Sequence, residues 1–182
     1  MTKALVVFES MFGNTELIAQ AVAEGLRASM PVDLTEVIHA TADPPEDITL
    51  IVAGGPTEAF SMSRTNTRAG AISQGGRPGR DEFGLREWIA ALPSGHSNAK
   101  LATFDTKIDK MRHLPGSAAK SAAKAGRRHG FELAVPPESF FVRDTAGPLV
   151  EGELDRARAW GQRLGDLMGP SGNDLAGEPA QI

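Results

Sequence analysis

An apolar run, Leu5-Val6-Val7-Phe8, passes through Glu9-Ser10-Met11-Phe12-Gly13 into Asn14-Thr15-Glu16 and an amphipathic helix. A strand that feeds a helix through so short a turn commits the chain to βα units, and so to a parallel sheet covered by helices. The turn also aims backbone N–H groups and a helix N-terminus at one point, which is what a phosphate needs. Ser10, Asn14 and Thr15 can add side-chain donors, and Gly13 lets the backbone curl without a Cβ in the way. The same residues also describe an ordinary strand-to-helix turn capped by Asn14. Spacing alone leaves both readings open.

The rest of the chain repeats the alternation. Lys3–Phe8 reads as a buried strand and Thr15–Ala28 as a helix whose inner side carries Leu17, Ile18, Ala21, Val22, Gly25 and Leu26. Val32–Val37 alternates as an edge strand does, and Ile48–Ala53 is a second fully apolar strand ending at Gly54-Gly55-Pro56-Thr57. A long polar connection from Pro56 to about Arg80 follows, of a length that compact domains keep for functional or mobile loops. Phe83–Leu92 reads as a helix with Phe83, Trp88, Ile89 and Leu92 inward. Lys100–Phe104 is the fourth strand, Asp105–Pro115 a polar loop, and Ser117–His129 a basic, Ala-rich helix capped by Ser117 and stopped by Gly130. Phe131–Val142 supplies a fifth strand interrupted at Pro136-Pro137. The last helix, Gly152–Met168, turns Leu154, Ala157, Trp160, Gly161 and Leu164 inward. The tail, 169–182, is Gly/Pro-rich and aperiodic, and is expected to be disordered. The expectation is an α/β, three-layer, doubly wound domain over 1–168, with a five-stranded parallel sheet in the order 2-1-3-4-5.

Composition narrows the chemistry. With no cysteine among 182 residues, disulfides, thiolate metal sites and cysteine nucleophiles are excluded. The run Leu5–Phe8 is too short for a signal peptide, and no segment has the roughly 20 apolar residues of a membrane span. A cytoplasmic protein without a membrane partner is the expectation. The net charge of −4 hides an asymmetry: 13 Lys/Arg stand against 5 Asp/Glu between Arg64 and Gly130, and 6 against 18 elsewhere. That predicts one electropositive face. Without aromatic residues among the charges, a solvated basic face is a better account than nucleic-acid binding. His39, His96, His113 and His129 lack metal-ligand spacing, so no metal is expected, and no Ser/His/Asp set sits at a nucleophile elbow.

In an open α/β sheet, ligands bind beyond the carboxyl ends of the strands, near the switch in strand order. The loops concerned are Glu9–Thr15, Gly54–Arg68 and Asp105–Gly116. There is no G-x-x-x-x-G-K-[ST] and no G-x-G-x-x-G in the first turn, which argues against a P-loop NTPase and a dinucleotide Rossmann site. The third strand ends in Gly54-Gly55 rather than an aspartate, which argues against a phosphoryl-accepting receiver domain.

Ser10-Met11-Phe12-Gly13-Asn14-Thr15-Glu16 resembles the phosphate loop of the flavodoxin family, where a hydroxyl/Gly/Asn/Thr turn wraps the phosphate of FMN. Gly54-Gly55-Pro56-Thr57 falls where that family's second flavin loop belongs, and residues 104–107 where its third begins. The resemblance implies FMN as cofactor, with Ser10, Met11, Phe12, Gly13, Asn14 and Thr15 at the phosphate. It places Pro56, Thr57, Glu58, Ala59, Phe60, Phe104, Asp105, Thr106 and Lys107 beside the ring. Three features depart from it. Phe12 stands where a hydroxyl is usual, although flavodoxin-like quinone oxidoreductases carry an aromatic there. There is no Tyr, and Trp88 and Trp160 lie on apolar helix faces, which leaves Phe60 as the aromatic placed to stack. Arg64, Arg68, Lys107, Lys110 and Arg112 make the ring-side loops basic, which would render a bound flavin less reducing than in an acidic flavodoxin.

Three functions follow. The first is an FMN-binding electron-transfer protein, monomeric, working with a redox partner protein. The second is an FMN-dependent NAD(P)H:quinone or small-molecule oxidoreductase, in which the segment 58–80 would cover substrate and Arg64 or Arg68 would grip a pyridine-nucleotide phosphate. The third, suggested by the missing aromatic clamp, is a flavin-free binding module.

Overall fold

The computed structural model describes residues 2–94 and 98–169; His96 and the tail from 170 onward lie outside them. Five parallel strands form the sheet: β1 (Lys3–Phe8), β2 (Val32–Glu36), β3 (Ile48–Glu58), β5 (Lys100–Ile108) and β6 (Glu138–Val142). Their order is β2-β1-β3-β5-β6, the expected doubly wound arrangement once β4 (Ser61–Met62) is set aside. That short strand was not foreseen. It pairs antiparallel with the end of β3, Thr57 opposite Met62 and Glu58 opposite Ser61.

Strand alternation sorts the core into two layers. Ala4, Val6 and Phe8 of β1, Leu50 and Val52 of β3, and Ala102 and Phe104 of β5 face α1 (Asn14–Leu26) and α5 (Glu153–Met168). Leu5, Val7, Ile51, Ala53 and Leu101 face α3 (Leu85–Ala91) and α4 (Ala118–Arg128). Trp88 and Trp160 are both buried, one in each layer. Helices α1 and α5 cross at backbone contact: a Cβ on Gly25 would sit 2.1 Å from the Arg158 carbonyl oxygen, and one on Gly161 2.2 Å from that of Val22.

Several element bounds shift, each for a physical reason. Strands β3 and β5 run five and four residues beyond the expected ends, because the parallel ladder continues through Gly55–Asp105 and Pro56–Thr106. The fifth strand starts only at Glu138, after the two prolines, although Leu133 bridges to Leu101. The expected polar connection contains a helix, α2 (Thr65–Ser73). Leu17, Phe83 and Leu154 are exposed rather than inward. Leu17 flanks a stripe centred on Ile18, Val22 and Leu26. Phe83 precedes α3, so helical spacing does not apply to it. At Leu154 it is the neighbouring Glu153 that turns in, accepting from the Phe141 N–H at 2.8 Å. Ser117 caps α4 as expected, accepting from the Lys120 N–H.

Candidate functional site

A cleft of ≈ 420 Å³ opens at the carboxyl ends of β1, β3 and β5, where the strand order reverses. One wall is Ser10, Met11 and Phe12 with Asn14 and Thr15 of α1; a second is Pro56, Thr57, Glu58 and Ala59 of the β3–β4 hairpin. Thr106, Ile108 and Met111 form the floor and far side, and Val142 and Thr145 close one end. The remaining wall is α2, which presents Thr67, Gly70, Ala71 and Gln74. Those four stand at i, i+3, i+4 and i+7, a helical stripe of small and polar residues. A search for apolar periodicity passes over such a stripe; the signal was the Thr-x-x-Gly-Ala-x-x-Gln spacing itself. Neither that wall nor Val142 and Thr145 was among the sequence candidates.

The first loop folds as an anion-binding turn would. Gly13 adopts a left-handed φ of 95° and stands at the N-cap of α1, in place of the Asn14 cap read from the sequence. Its N–H donates to Ser10 Oγ at 3.1 Å, and its carbonyl takes the first helical hydrogen bond, from the Leu17 N–H. The N–H groups of Asn14, Thr15 and Glu16 have no acceptor among the described residues, the orphan donors that any helix start leaves. Thr15 Oγ1 lies 2.7 Å from Thr106 Oγ1, tying the loop to β5.

Thr106 stands at the cleft as expected, but Phe104, Asp105 and Lys107 do not. Depth is the reason for the first and strand parity for the other two. Phe104 lies deeper on the α1 face, its ring edge-on to Phe140 and Trp160 with centroids 6.2 and 6.1 Å away. Asp105 and Lys107 point to the α4 face: Asp105 Oδ2 accepts from the Ala119 N–H at 2.9 Å, and Lys107 Nζ donates to the Leu114 and Gly116 carbonyls. Gly54 belongs to the second of the loops read as a flavin loop, and a ring does approach its backbone closely. The ring it admits is the chain's own Phe104, whose Cζ lies 2.1 Å from where a Cβ would stand. Phe60 is half exposed at the hairpin apex and does not line the cleft; nor does Gly13.

The expected cations are likewise off the walls. Arg68 is fully buried, pairing with Glu87 Oε1 at 2.9 Å and donating to Ser63 Oγ and the Asp81 carbonyl. Arg112 pairs with Asp109 and stacks on Phe141. The cleft-lining residues include no Lys or Arg, and their one charged member is Glu58, whose buried Oε2 has no hydrogen-bond partner among the described residues. The basic surroundings read from the sequence are therefore not those of the cleft interior, and the argument for a less reducing flavin loses its basis.

Behind the cleft, Glu9 ends β1 on the α3 face. It accepts from Ser63 Oγ and, at 2.8 Å, from the Leu85 N–H. Burial pushes its carboxyl above the usual range, with the Ser63, Leu85 and Arg68 interactions pulling partly back. Asp105 is raised for the same first reason. A carboxyl whose folded pKa exceeds its unfolded one stabilises the fold fully below the unfolded value, and that stability is lost as pH rises through the folded value. Glu87 has the opposite sign: burial raises it, but the Arg68 hydrogen bond and nearby N–H groups outweigh that, so its share is lost as pH falls. Urea midpoints measured across the range above pH 4 are expected to decline more steeply for the natural protein than for Glu9→Gln. Parallel curves would show that Glu9 does not titrate there.

No protein-family model and no curated protein matches the chain. Solved structures do. A flavodoxin from the domain Archaea is 18% identical over 91% of this chain and 97% of its own, with a TM-score of 0.62. A short-chain flavodoxin associated with a bacterial microcompartment is 14% identical over 90% and 97%, at 0.64. A WrbA-like flavodoxin from Agrobacterium tumefaciens is 19% identical over 92% and 97%, at 0.53. With the strand order, the hairpin after β3 and the cleft at the switch point, these matches show that the chain has the flavodoxin fold.

Proposed function

We propose that the cleft binds FMN and that the protein transfers electrons. The observation that carries this reading is the conjunction of three unpaired N–H groups at the start of α1 with a largely apolar cleft directly beside them. A phosphate would be held by the Asn14, Thr15 and Glu16 N–H groups and by the Ser10 and Thr15 hydroxyls. The flat ring system would lie between the 56–59 hairpin and the α2 stripe. Glu58 Oε2, buried and without a hydrogen-bond partner among the described residues, supplies an acceptor for a ligand N–H. When bound, FMN supplies the redox chemistry; the chain binds it, orients it and keeps water from it.

Titration of the apoprotein with FMN, followed by flavin fluorescence, tests this. Tight 1:1 binding, with riboflavin at least about a hundredfold weaker, is the expected result, since a phosphate held by several charge-assisted N–H bonds contributes on the order of 3 kcal/mol. Gly13→Val should reduce the preference for FMN over riboflavin by about tenfold or more, because a β-branched residue is strained at φ 95° and would re-aim the loop. No binding of either flavin would favour a flavin-free module. The oxidoreductase reading loses Arg68, which is buried in its ion pair, and keeps the exposed Arg64. NADPH oxidation by the FMN-loaded protein without an added reductase would favour it over the carrier.

A further inference from the structure

The hairpin beside the cleft is built in a way that packing alone does not explain. Its two apex residues, Ala59 and Phe60, have φ of 48° and 63°. These are left-handed values at two consecutive residues with a Cβ, where Gly or Asn would sit without strain. The turn lifts Phe60 out until its surface is 50% exposed. Strain that holds a large apolar side chain in solvent at the lip of a cleft points to recognition. Phe60 has apolar company on the same rim, since Gly116 lies against its backbone and Leu114 and Met111 of the adjoining segment are also exposed.

This apolar patch is ringed by cations. Ser61 Oγ meets Ser121 Oγ of α4 at 2.8 Å, which sets the hairpin against the helix turn carrying Lys120 and Lys124. Both lysines are exposed, as are Arg64 just beyond β4 and Lys110 beside Met111, and none of the four has an ion-pair partner among the described residues. Arg86 donates to Ser61 Oγ and the Met62 carbonyl, reinforcing the positive charge behind the hairpin. Burial first, and then the neighbouring Arg64 guanidinium, hold Arg86 below its ordinary value, with Glu87 pulling partly back. The nearby carboxylates are engaged or turned away: Asp109 pairs with Arg112, Glu87 with Arg68, and Glu58 lines the cleft.

We infer that the surface formed by Phe60, Met111 and Leu114 within the ring of Arg64, Lys110, Lys120 and Lys124 docks an acidic protein surface against the mouth of the cleft. An apolar centre with a polar, solvent-accessible rim is the usual anatomy of a protein–protein contact, and a rim of one sign selects a partner of the opposite sign. The location is the one an electron-transfer partner requires, so the partner's identity as a redox protein rests on the reading of the cleft. The docking surface itself does not.

The test uses the full chain, labelled with 15N, and two synthetic probes of equal charge: a polyglutamate peptide and a peptide of alternating glutamate and leucine. Shift changes are expected to cluster at 59–64, 110–116 and 120–124 with both probes, to be tighter with the leucine-bearing one, and to fade with added salt. Lys120→Glu with Lys124→Glu should weaken both by about tenfold or more, and Phe60→Ser should weaken only the leucine-bearing peptide. Scattered shifts, or equal binding of polylysine, would overturn the inference. Tighter binding of duplex DNA than of either peptide at the same salt would overturn it too, in favour of a nucleic-acid surface. FMN titration of the charge-reversed variant separates the two questions: unchanged FMN affinity with lost peptide binding is expected. Peptide docking in a protein that never binds FMN would sink the flavin reading and leave the docking surface standing.

Discussion

A methyl group added at Gly54 is expected to cost the fold about 3 kcal/mol, the upper part of the range for overpacking a dense core. The Cβ of Gly54→Ala would stand 2.1 Å from Phe104 Cζ and 2.3 Å from both Cε atoms. The ring cannot step aside. Phe140 and Trp160 hold it edge-on, and they in turn contact each other at 5.9 Å. Nor can the backbone yield cheaply, since Gly54 pairs with Phe8 on one side and Phe104 on the other. For a chain of this size the loss corresponds to a fall in Tm of roughly 6–12 °C. The cause is checked by a double-mutant cycle. Phe104→Leu alone should destabilise, and adding Gly54→Ala to it should cost at least about 1 kcal/mol less than adding it to the natural protein. Strict additivity would show that the close approach is not the source of the loss.

Removing the Arg68 guanidinium should have an effect of similar size. Arg68 donates from three nitrogens: to the Asp81 carbonyl, Ser63 Oγ and Glu87 Oε1. Ser63 passes the link to Glu9 and hence to the end of β1. One side chain thereby holds α2, the return of the hairpin and the start of α3 to the sheet. Arg68→Met keeps the volume and leaves those acceptors unpaired, at an expected cost on the order of 3 kcal/mol. The figure sits at the low end for a broken buried pair because Glu87 is 31% exposed and water can reach it. Adding Glu87→Leu should recover part of the loss, since two matched apolar residues cost less than one stranded charge. Urea denaturation of the two variants reads this directly, and a double variant less stable than Arg68→Met would contradict it. Because α2 is also a cleft wall, Arg68→Met should loosen the Thr67–Gln74 side more than the 10–15 turn, which Arg68 reaches only through Ser63 and Glu9.

Much of the molecule was written locally. Apolar runs of strand length alternating with helical stripes determined a parallel sheet between helix layers, and two-residue parity determined which side chains would enter which layer. Trp88 and Trp160 were legible as core because each occurs on the apolar side of a helix. The turn of the first loop was legible too, since it is made of neighbours in sequence: Ser10, Gly13 and Thr15 stand within six positions of one another.

What the sequence left undecided depended on distant contacts. Where β5 would end was set by its ladder with β3, and four residues of extra strand carried Asp105 and Lys107 to the α4 face while leaving Thr106 at the cleft. The α2 wall carries no apolar stripe, because its cleft side is small and polar and its anchor is a buried arginine; an arginine in sequence reads as surface until a carboxylate is seen beside it. Charge was misread for the same reason. Arg68 counts as a cation along the chain, yet it is held by Glu87, which only folding brings near, while Lys107 and Arg112 turn to groups of their own loop, the Leu114 and Gly116 carbonyls and Asp109. Local pattern determined the layers and the first loop, because both arise from residues close in sequence. Tertiary structure decided the walls, the charge and the exposed lip of the cleft, because those depend on which far-apart groups satisfy one another.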